Sequence, residues 1–288
     1  MTLVQRRIGL MFAVFLALLG CAVLRAVWIG TVKAGTLGER AVQQQVEDLE
    51  ITARRGTIFD RHGVELAVSE DAVTVFAHPF LIDDPGDVAS RLAPLLGRPQ
   101  EELIKKLGDR ESTFVYLRRK MDASLGHRIE EMHIEGIDTV VEAKRTYPQG
   151  HLAAQVLGTV GSENKGLSGL EYAREDQLGG DDGHRRVVKD ALGEPVSLIE
   201  TDRAQAGDDL RLTLDAAIQE RVEAVLSEVG QTYTPAGATA LVMDPRTGAI
   251  LALANWPRVD ANNVAGAPEY AQQNRAVQFN YEPGSTFK

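Results

Sequence analysis

A serine and a lysine lie three residues apart in the stretch YEPGSTFK, residues 281–288. Ser285 could act as a nucleophile with Lys288 as its general base, provided that the lysine amine is neutral. The free amine has a pKa of about 10.4, so bringing it to about 7 to 8 takes roughly 4 kcal/mol of bias against the ammonium. The pair therefore predicts acyl transfer only in a closed, dry site.

Ser-x-x-Lys is weak evidence alone, because the stretch SENK at 162–165 also matches it. That second copy lies in a polar, glycine-flanked stretch typical of a loop, where nothing would hold both side chains on one face. Ser285 and Lys288 instead follow Pro283-Gly284, a turn that could deliver Ser285 to the first turn of a helix. Positions i and i+3 share a face there, and the N–H groups of the helix start would lie near an oxyanion.

A strand, a helix and a hairpin precede the serine. GDDLRLTLD (207–215) predicts a strand, and Asp215 should cap a helix with one apolar side, formed by Ile218, Val222, Leu226 and Val229. GATALVMDPRTGAILALANWP (237–257) predicts two apolar strands joined at 244–248. This order indicates the start of a helix-covered antiparallel sheet, whose hairpin at 240–256 would keep an unpaired edge.

Residues 54–206 mix strand, helix and turn signals. GTIFDRHGVELAVS (56–69) predicts a β-hairpin in which Gly63 takes the φ > 0 position of the turn. The stretches 83–97 and 99–110 predict two packed helices, the first with an apolar face of Leu92, Leu95 and Leu96.

Ser168 and Glu171 have capping-box spacing at the start of SGLEYAREDQLGG (168–180). They predict one helix that opens at Ser168 and ends at Gly179-Gly180.

An apolar segment of 17 uncharged residues runs from Ile8 to Leu24 and is followed by Arg25 and Trp28. It is long enough to cross a bilayer if Arg25 reaches the interface, so we expect a retained signal-anchor helix. Two alternatives stay open: a cleaved signal whose LLGC box would lipidate Cys21, and a buried soluble helix.

The composition is that of a globular protein, with 288 residues, 44% apolar and 25% charged, and a net charge of −10. The basic residues form scattered short groups, including 118–120, which argues against a nucleic-acid partner. The single cysteine excludes an internal disulfide framework and a cysteine-built zinc site, and the six histidines lack metal-binding spacing. No metal or cofactor is expected.

Five stretches together resemble the monofunctional (class B) penicillin-binding proteins, most closely those of the division septum. They follow that family's order and are RRGTIFDRHGVELA (54–67), RTYPQGHLAAQVLGTVG (145–161), GLSGLEYAREDQLGGDDG (166–183), VMDPRTGAILALANWPRVDANN (242–263) and NRAVQFNYEPGSTFK (274–288).

The resemblance implies an α+β fold in four segments. Residues 1–32 would be a cytoplasmic tail and single transmembrane helix, 33–53 a stalk, 54–205 an elongated mixed α/β pedestal of dimerisation type, and 206–288 the truncated start of a serine β-lactamase/transpeptidase-like domain. The N-terminus would be cytoplasmic, and the bulk of the chain would lie outside the plasma membrane.

The implied activity is that of a D,D-transpeptidase. Ser285 would attack the penultimate D-Ala carbonyl of a D-Ala-D-Ala stem peptide, expel the last D-Ala and pass the acyl group to an amine on a neighbouring strand. Lys288 would be the base, and the N–H of Ser285 would form half of the oxyanion hole. β-Lactams would acylate the same serine, and a polytopic membrane glycosyltransferase and other division proteins would be partners.

The resemblance also implies structural residues in the pedestal. It pairs Arg145 with Glu171, beside the capping-box interpretation of Glu171. The full set is Arg55, Gly56, Asp60, Arg61, Gly63, Arg145, Tyr147, Pro148 and Glu171.

In that family the S-x-N and K-T-G elements lie well downstream of the serine, and neither follows Ser285 here, so we expect a truncated sequence whose own chain is inactive. One alternative is a non-catalytic, membrane-anchored scaffold for cell-wall synthesis. Another is a β-lactam-sensing receptor, which the long pedestal and the lack of a multi-helix membrane segment disfavour.

Overall fold

The computed structural model describes residues 3–31, 46–189, 195–280, 282 and 284–287. The strands are β1 (Val46–Ile51), β2 (Ile58–Phe59), β3 (Glu65–Ala77), β4 (Val115–Asp122), β5 (Ile137–Thr146), β6 (Gly183–Lys189), β7 (Pro195–Asp202), β8 (Leu210–Arg211), β9 (Ala238–Met243) and β10 (Ile250–Trp256). The α-helices are α1 (Leu3–Thr31), α2 (Pro85–Leu96), α3 (Gln100–Leu107), α4 (Ala123–Glu130), α5 (Ala154–Leu157), α6 (Gly169–Ala173), α7 (Glu175–Leu178), α8 (Ala216–Tyr233), α9 (Glu269–Gln272) and α10 (Arg275–Gln278). Short 3₁₀ helices span Pro79–Leu81, Ala261–Gly266 and Gly284–Phe287.

The chain divides into two compact units, one made of Met1–Glu50 with His184–Asp202 and the other of Ile51–Gly183 with Arg203–Lys288. The first unit contains α1 and a sheet in the order β1-β6-β7, in which β6 and β7 are antiparallel. Residues 11–25 of α1 are exposed. Within the described ranges, no helix combines the length and the hydropathy that a membrane crossing requires. The predicted segment boundaries at 32/33, 53/54 and 205/206 stay predictions.

The second unit is built around β3, which pairs antiparallel with β2, β4 and β5. Helices α2, α3 and α4 cover one face of the β3-β4-β5 sheet, and the predicted packing of α2 against α3 is confirmed. Asp84 caps α2 by accepting from the Gly86 and Asp87 amides. Of the predicted apolar face, Leu92 and Leu96 are fully buried and Leu95 is partly buried. These leucines join a core with Val75, Leu103, Leu107, Leu117 and Ile129.

The predicted hairpin at 56–69 is confirmed as β2 and the start of β3. Gly63 has φ +90°, which is costly for a residue with a Cβ. Asp60 Oδ1 accepts hydrogen bonds from the His62 and Val64 amides, so the turn is fixed from within.

A second core joins the start of the unit to its end. It contains Ile58, Leu66, Leu157 and Leu178 together with Leu214, Val259, Ala261 and Ala271. Residues on both sides of the predicted 205/206 boundary therefore bury their apolar surface together.

The predicted β9–β10 hairpin is confirmed, with Gly248 at φ +74° in its turn. Asp215 caps α8 as predicted, since its side chain accepts from the Ala217 and Ile218 amides. The predicted apolar face of α8 is only partly correct. Leu226 is buried, but the buried line runs through Gln219, Glu223 and Gly230. The face is shifted because the two polar side chains find buried partners, and because Trp256 packs against Gly230.

Candidate functional site

Ser285 lies on the 3₁₀ helix Gly284–Phe287 and is exposed. Gly284 has φ +58°, so a left-handed residue turns the chain directly before the serine. The predicted helical turn at Ser285 is thus present, in the tighter 3₁₀ form. Lys288 lies outside the described residues, as do Tyr281 and Pro283, so the predicted Ser285–Lys288 pair stays a prediction.

The segment before Ser285 is attached to the β9–β10 hairpin. Asn255 of β10 donates from Nδ2 to Asn274 Oδ1 at 3.1 Å and accepts at Oδ1 from Thr239 Oγ1 at 3.3 Å. Asn274 in turn directly precedes α10, which packs on both strands of the hairpin. Through these contacts the β9–β10 hairpin holds residues 274–278, the segment that precedes Ser285.

Two polar residues of α8 bind buried backbone groups of β10 and of the chain before α5. Gln219 donates from Nε2 to the Leu253 carbonyl at 3.0 Å and accepts from the Leu253 amide at 2.8 Å, as a neighbouring strand would. Glu223 Oε1 accepts from Gln219 Nε2 at 2.8 Å and from the Ala153 amide at 2.7 Å. The buried face of α8 was predicted from the spacing of apolar residues alone, so the prediction missed Gln219 and Glu223.

His151, Glu220 and Glu223 could together offer ligand atoms to a cation. Arg258 already lies at this cluster, with Nη2 3.1 Å from Glu220 Oε2 and 2.9 Å from Glu223 Oε2. The guanidinium therefore balances the two carboxylates.

Asn262 and Gln155 connect distant parts of the unit through side-chain amides. Asn262 accepts from the Tyr147 amide at 3.0 Å and donates to the Tyr147 carbonyl at 2.9 Å. Gln155 donates to the carbonyls of Pro257 at 2.8 Å and Ala271 at 3.1 Å. No local sequence signal marks such partners.

The predicted Arg145–Glu171 pair is confirmed, at 2.7 Å from Arg145 Nε to Glu171 Oε1. Arg55 Nε binds the other oxygen of Glu171 at 3.0 Å. The side chains of Arg55 and Glu171 are 0% exposed and that of Arg145 is 3% exposed. Two guanidiniums thus share one fully buried carboxylate, which holds strand β5, helix α6 and the chain before β2 together.

A second carboxylate, Glu175, completes the charge balance, with Oε2 2.9 Å from Arg55 Nη2. Burial alone would lower the pKa of Arg55, but the hydrogen bond to Glu175 and the charge of Glu171 outweigh it and raise that pKa. Burial alone would raise the pKa of Glu175, but Arg55 outweighs it and lowers that pKa. Sequence reasoning missed Glu175, because its partner Arg55 lies 120 residues away in the chain.

The capping-box prediction at Ser168 is wrong. Ser168 makes no side-chain bond to the helix start, and its hydroxyl accepts from the Thr159 amide at 3.1 Å. Both carboxylate oxygens of Glu171 accept hydrogen bonds from the two arginines, so the side chain does not bind the Ser168 amide as a capping box requires. The predicted single helix is also two helices, α6 and α7, that meet at Arg174 (φ −119°, ψ 28°).

Asp60 lies at the contact between the hairpin turn and α8. It is 1% exposed, and its Oδ2 accepts from the Ala216 amide at 3.1 Å. Burial alone would raise the pKa of this carboxyl, but the amides of Ala216, Val64 and His62 outweigh it and lower the pKa.

The remaining predicted residues have structural surroundings. A Cβ on Gly56 would collide with the Asp208 carbonyl, and the Arg61 amide donates to the Leu214 carbonyl at 2.9 Å. Tyr147 is buried, with Oη 3.5 Å from Glu171 Oε1, and burial raises its pKa. Pro148 is exposed in the turn that follows.

Comparisons with known proteins agree with this geometry. The family described as "Penicillin-binding Protein dimerisation domain" matches residues 50–212, and "Penicillin binding protein transpeptidase domain" matches residues 238–288. The chain is 33% identical to "Probable peptidoglycan D,D-transpeptidase PenA" of Neisseria gonorrhoeae, over 98% of this chain and 49% of the relative. It is 29% identical to "Peptidoglycan D,D-transpeptidase FtsI" of Escherichia coli, over 95% and 49%.

A solved structure, a peptidoglycan synthetase from Bifidobacterium adolescentis, matches with a TM-score of 0.57 and 29% identity, covering 83% of this chain and 49% of that one. The chain thus spans about half the length of the curated relatives that it matches first. The dimerisation-domain match alone covers more than half of the chain. The chain therefore belongs to the penicillin-binding proteins.

Proposed function

We propose that the protein containing this chain is a serine D,D-transpeptidase that cross-links peptidoglycan. The observation that carries the proposal is the Ser-x-x-Lys stretch at 285–288, which lies inside the transpeptidase-domain match and after a dimerisation-domain match in the same chain.

In the proposed reaction, Ser285 Oγ gives its proton to Lys288 Nζ and bonds to the carbonyl carbon of the penultimate D-Ala. The amide bond to the terminal D-Ala then breaks, and the leaving amine takes the proton. An amine of a neighbouring strand attacks the resulting ester and releases the serine hydroxyl. A β-lactam opens its ring on Ser285 in the same first step and stays bound as an ester.

The described geometry supports Ser285 as the nucleophile. The left-handed Gly284 turns the chain directly before the serine. A 3₁₀ turn also leaves its first N–H groups without helical partners, which suits an oxyanion.

Structural roles are proposed for the nine dimerisation-domain residues that the resemblance indicated. Arg55, Arg145, Glu171 and Tyr147 form the buried ionic cluster. Gly56, Asp60, Arg61, Gly63 and Pro148 shape the hairpin, its contacts and the turn after β5.

We also propose that α1 anchors the protein in the plasma membrane, with the N-terminus in the cytoplasm. The support is the uncharged run of 17 residues from Ile8 to Leu24 and the exposure of residues 11–25. A septal role, with a polytopic glycosyltransferase and other division proteins as partners, extends the same proposal. Fusion of a reporter that is active on only one side of the membrane to each end of α1 tests the orientation.

Fluorescent penicillin tests the proposed chemistry on the protein produced from its own gene. The wild type should be labelled, and Ser285→Ala should abolish labelling. Ser162→Ala is the matched control, because Ser162 begins the other Ser-x-x-Lys stretch, and it should be labelled as strongly as the wild type. Undiminished labelling of Ser285→Ala would refute the role of Ser285.

A non-catalytic scaffold is the second candidate, and the dimerisation-domain match over 50–212 supports it. A wild-type protein that takes no label, yet whose depletion blocks wall synthesis, would favour the scaffold.

A further inference from the structure

A groove of about 700 Å³ runs beside β4 in the dimerisation domain. The α2–α3 loop, α3 and β4 form its walls, and we call it the β4 groove. The residues that carry the argument are Arg98, Pro99, Lys106, Tyr116, Arg118 and Arg119.

Four of those residues are basic, in a chain whose net charge is −10. The near carboxylate on α3 is Glu102, which lies 3.5 Å from Arg98 Nη1 and 3.3 Å from Lys106 Nζ and so serves two cations. Arg118 Nη1 donates to the Leu96 carbonyl at the end of α2.

Arg119 has two carboxylate partners, Glu163 at 2.6 Å and Glu142 at 3.2 Å, and its guanidinium lies over the Tyr116 ring, 4.9 Å from the centroid. Its buried Nε has no partner among the described residues. The four basic side chains of the groove therefore have three carboxylate partners, Glu102, Glu142 and Glu163. The groove is locally positive.

An aromatic stripe continues from the groove along the same surface, formed by Tyr116, Phe114, His78 and Phe80. Ring centroids are 4.7 Å apart for Tyr116–Phe114, 6.1 Å for Phe114–His78 and 5.9 Å for His78–Phe80. Tyr116 is 43% exposed, Phe114 41% and Phe80 52%. Aromatic residues normally bury most of their surface, so a contiguous exposed series indicates a binding surface.

We propose that the β4 groove and the aromatic stripe bind a glycan strand of peptidoglycan. Sugar rings present C–H groups that suit the negative faces of aromatic rings, and the stem-peptide carboxylates suit the arginine and lysine groups. The choice of peptidoglycan among anionic glycans rests on the proposed function. The surface would hold a strand on the dimerisation domain while its stem peptide reaches the serine.

A nucleic acid also combines planar rings with negative charge, so it is the main rival for this surface. Glu102, Glu142 and Glu163 lie among the basic groups, and Asp138 lies 3.6 Å from His78. Such acidic groups repel a continuous phosphate backbone but tolerate a strand whose carboxylates are widely spaced.

The test is a fluorescence-anisotropy titration of the full chain in detergent with labelled, soluble, uncross-linked glycan strands that retain their stem peptides. We expect saturable binding that weakens as NaCl is raised. Chitohexaose supplies sugar rings without carboxylates, and polyglutamate supplies carboxylates without sugars. Each should bind at least tenfold more weakly than the strands, as should a single-stranded oligonucleotide.

Tyr116→Ala and Arg98→Glu should each weaken strand binding at least tenfold, whereas Tyr116→Phe, which keeps the ring, should stay within twofold of the wild type. The matched controls are Tyr172→Ala and Arg91→Glu. Tyr172 is 67% exposed elsewhere in the domain, and the Arg91 side chain, 43% exposed, lies on α2 beside Asp87. Both controls should stay within twofold.

Absence of saturable binding, equal binding of any comparator, or equal losses in target and control variants would overturn the proposal. Penicillin labelling reports the serine and does not require the β4 groove, whereas strand binding at the groove does not require acylation of the serine. Failure of this proposal would therefore leave penicillin labelling intact, and failure of the proposed chemistry would leave strand binding intact.

Discussion

Removing the charge of Glu171 should destabilise the second unit far more than removing that of Glu175. Both carboxylates contact Arg55 at about the same distance, 3.0 Å and 2.9 Å, but the Glu171 side chain is 0% exposed and the Glu175 side chain is 37% exposed. The two carboxylates therefore match in their distance from Arg55 but differ in burial, and Glu171 alone also binds Arg145.

In Glu171→Gln, an amide N–H₂ replaces one of two oxygens that each accept from a guanidinium. Arg55 and Arg145 stay buried with Glu175 as the near carboxylate. Breaking a buried ion pair on one side costs about 3–5 kcal/mol. Solvent screens Glu175, so Glu175→Gln should cost about 1 kcal/mol or less.

Urea unfolding followed by circular dichroism measures the loss of unfolding free energy in both variants, and thermal unfolding measures the change in Tm. At roughly 2–4 °C of Tm for each kcal/mol in a unit of this size, Glu171→Gln should lower Tm by about 10 °C. A double change, Glu171→Gln with Arg145→Met, should recover part of that loss, because one stranded cation is removed. Equal losses in the two Glu→Gln variants, or no recovery in the double variant, would refute the reasoning.

Three further predictions concern other contacts of the second unit. The pKa of Asp60 is lowered from its ordinary 3.8, so the stability that its carboxylate contributes is present above about pH 4 and is lost as the pH falls through the lower pKa of the folded state. Asp60→Asn should therefore make Tm less dependent on pH in the acid range. An acid dependence of Tm equal to that of the wild type would contradict this. Gly230→Ala should cost about 1–3 kcal/mol in urea unfolding, because the new Cβ meets the Trp256 ring, and a neutral result would mean that the ring moves aside. Asn262→Ala should cost about 1–3 kcal/mol, because both backbone groups of Tyr147 lose their partner, and hydrogen exchange at the Tyr147 amide should accelerate; unchanged exchange would count against that bond.

The parts of the fold that depend on local signals could be predicted from the sequence. The 56–69 hairpin, the α2–α3 pair, the Asp215 cap and the β9–β10 hairpin are each specified by turn residues or periodicity close to them in the chain.

The errors have a common physical origin, in polar side chains whose partners lie far away in the chain. Glu171 has the spacing of a capping box, but two arginines 116 and 26 residues away compete for it and win. Gln219 interrupts the predicted apolar face of α8 because the Leu253 backbone, 34 residues later, satisfies its amide. Local patterns do not contain such partners.

The candidate site was harder to predict from the sequence than the fold. A Ser-x-x-Lys spacing occurs twice, and the local context of the two copies and the resemblance across the whole chain are both needed to separate them. The β4 groove was missed for a different reason. Phe114 and Tyr116 lie beside the basic group at 118–120 in the sequence, but Arg98 and Lys106 join them only through the packing of α2 and α3 on the sheet.

The core that joins Ile58 to Ala271 has a consequence for how the protein is made. A chain that emerges from its N-terminus exposes Ile58 and Leu66 more than 190 residues before their partners Val259, Ala261 and Ala271 exist. During synthesis, the apolar surface around Ile58 and Leu66 therefore stays exposed until the β9–β10 hairpin and the segment after it have been synthesised. Contacts that span so much sequence also form slowly once all of the chain is present. Chaperones that bind the nascent chain should accordingly bind residues 54–67, before Ser285 has been synthesised.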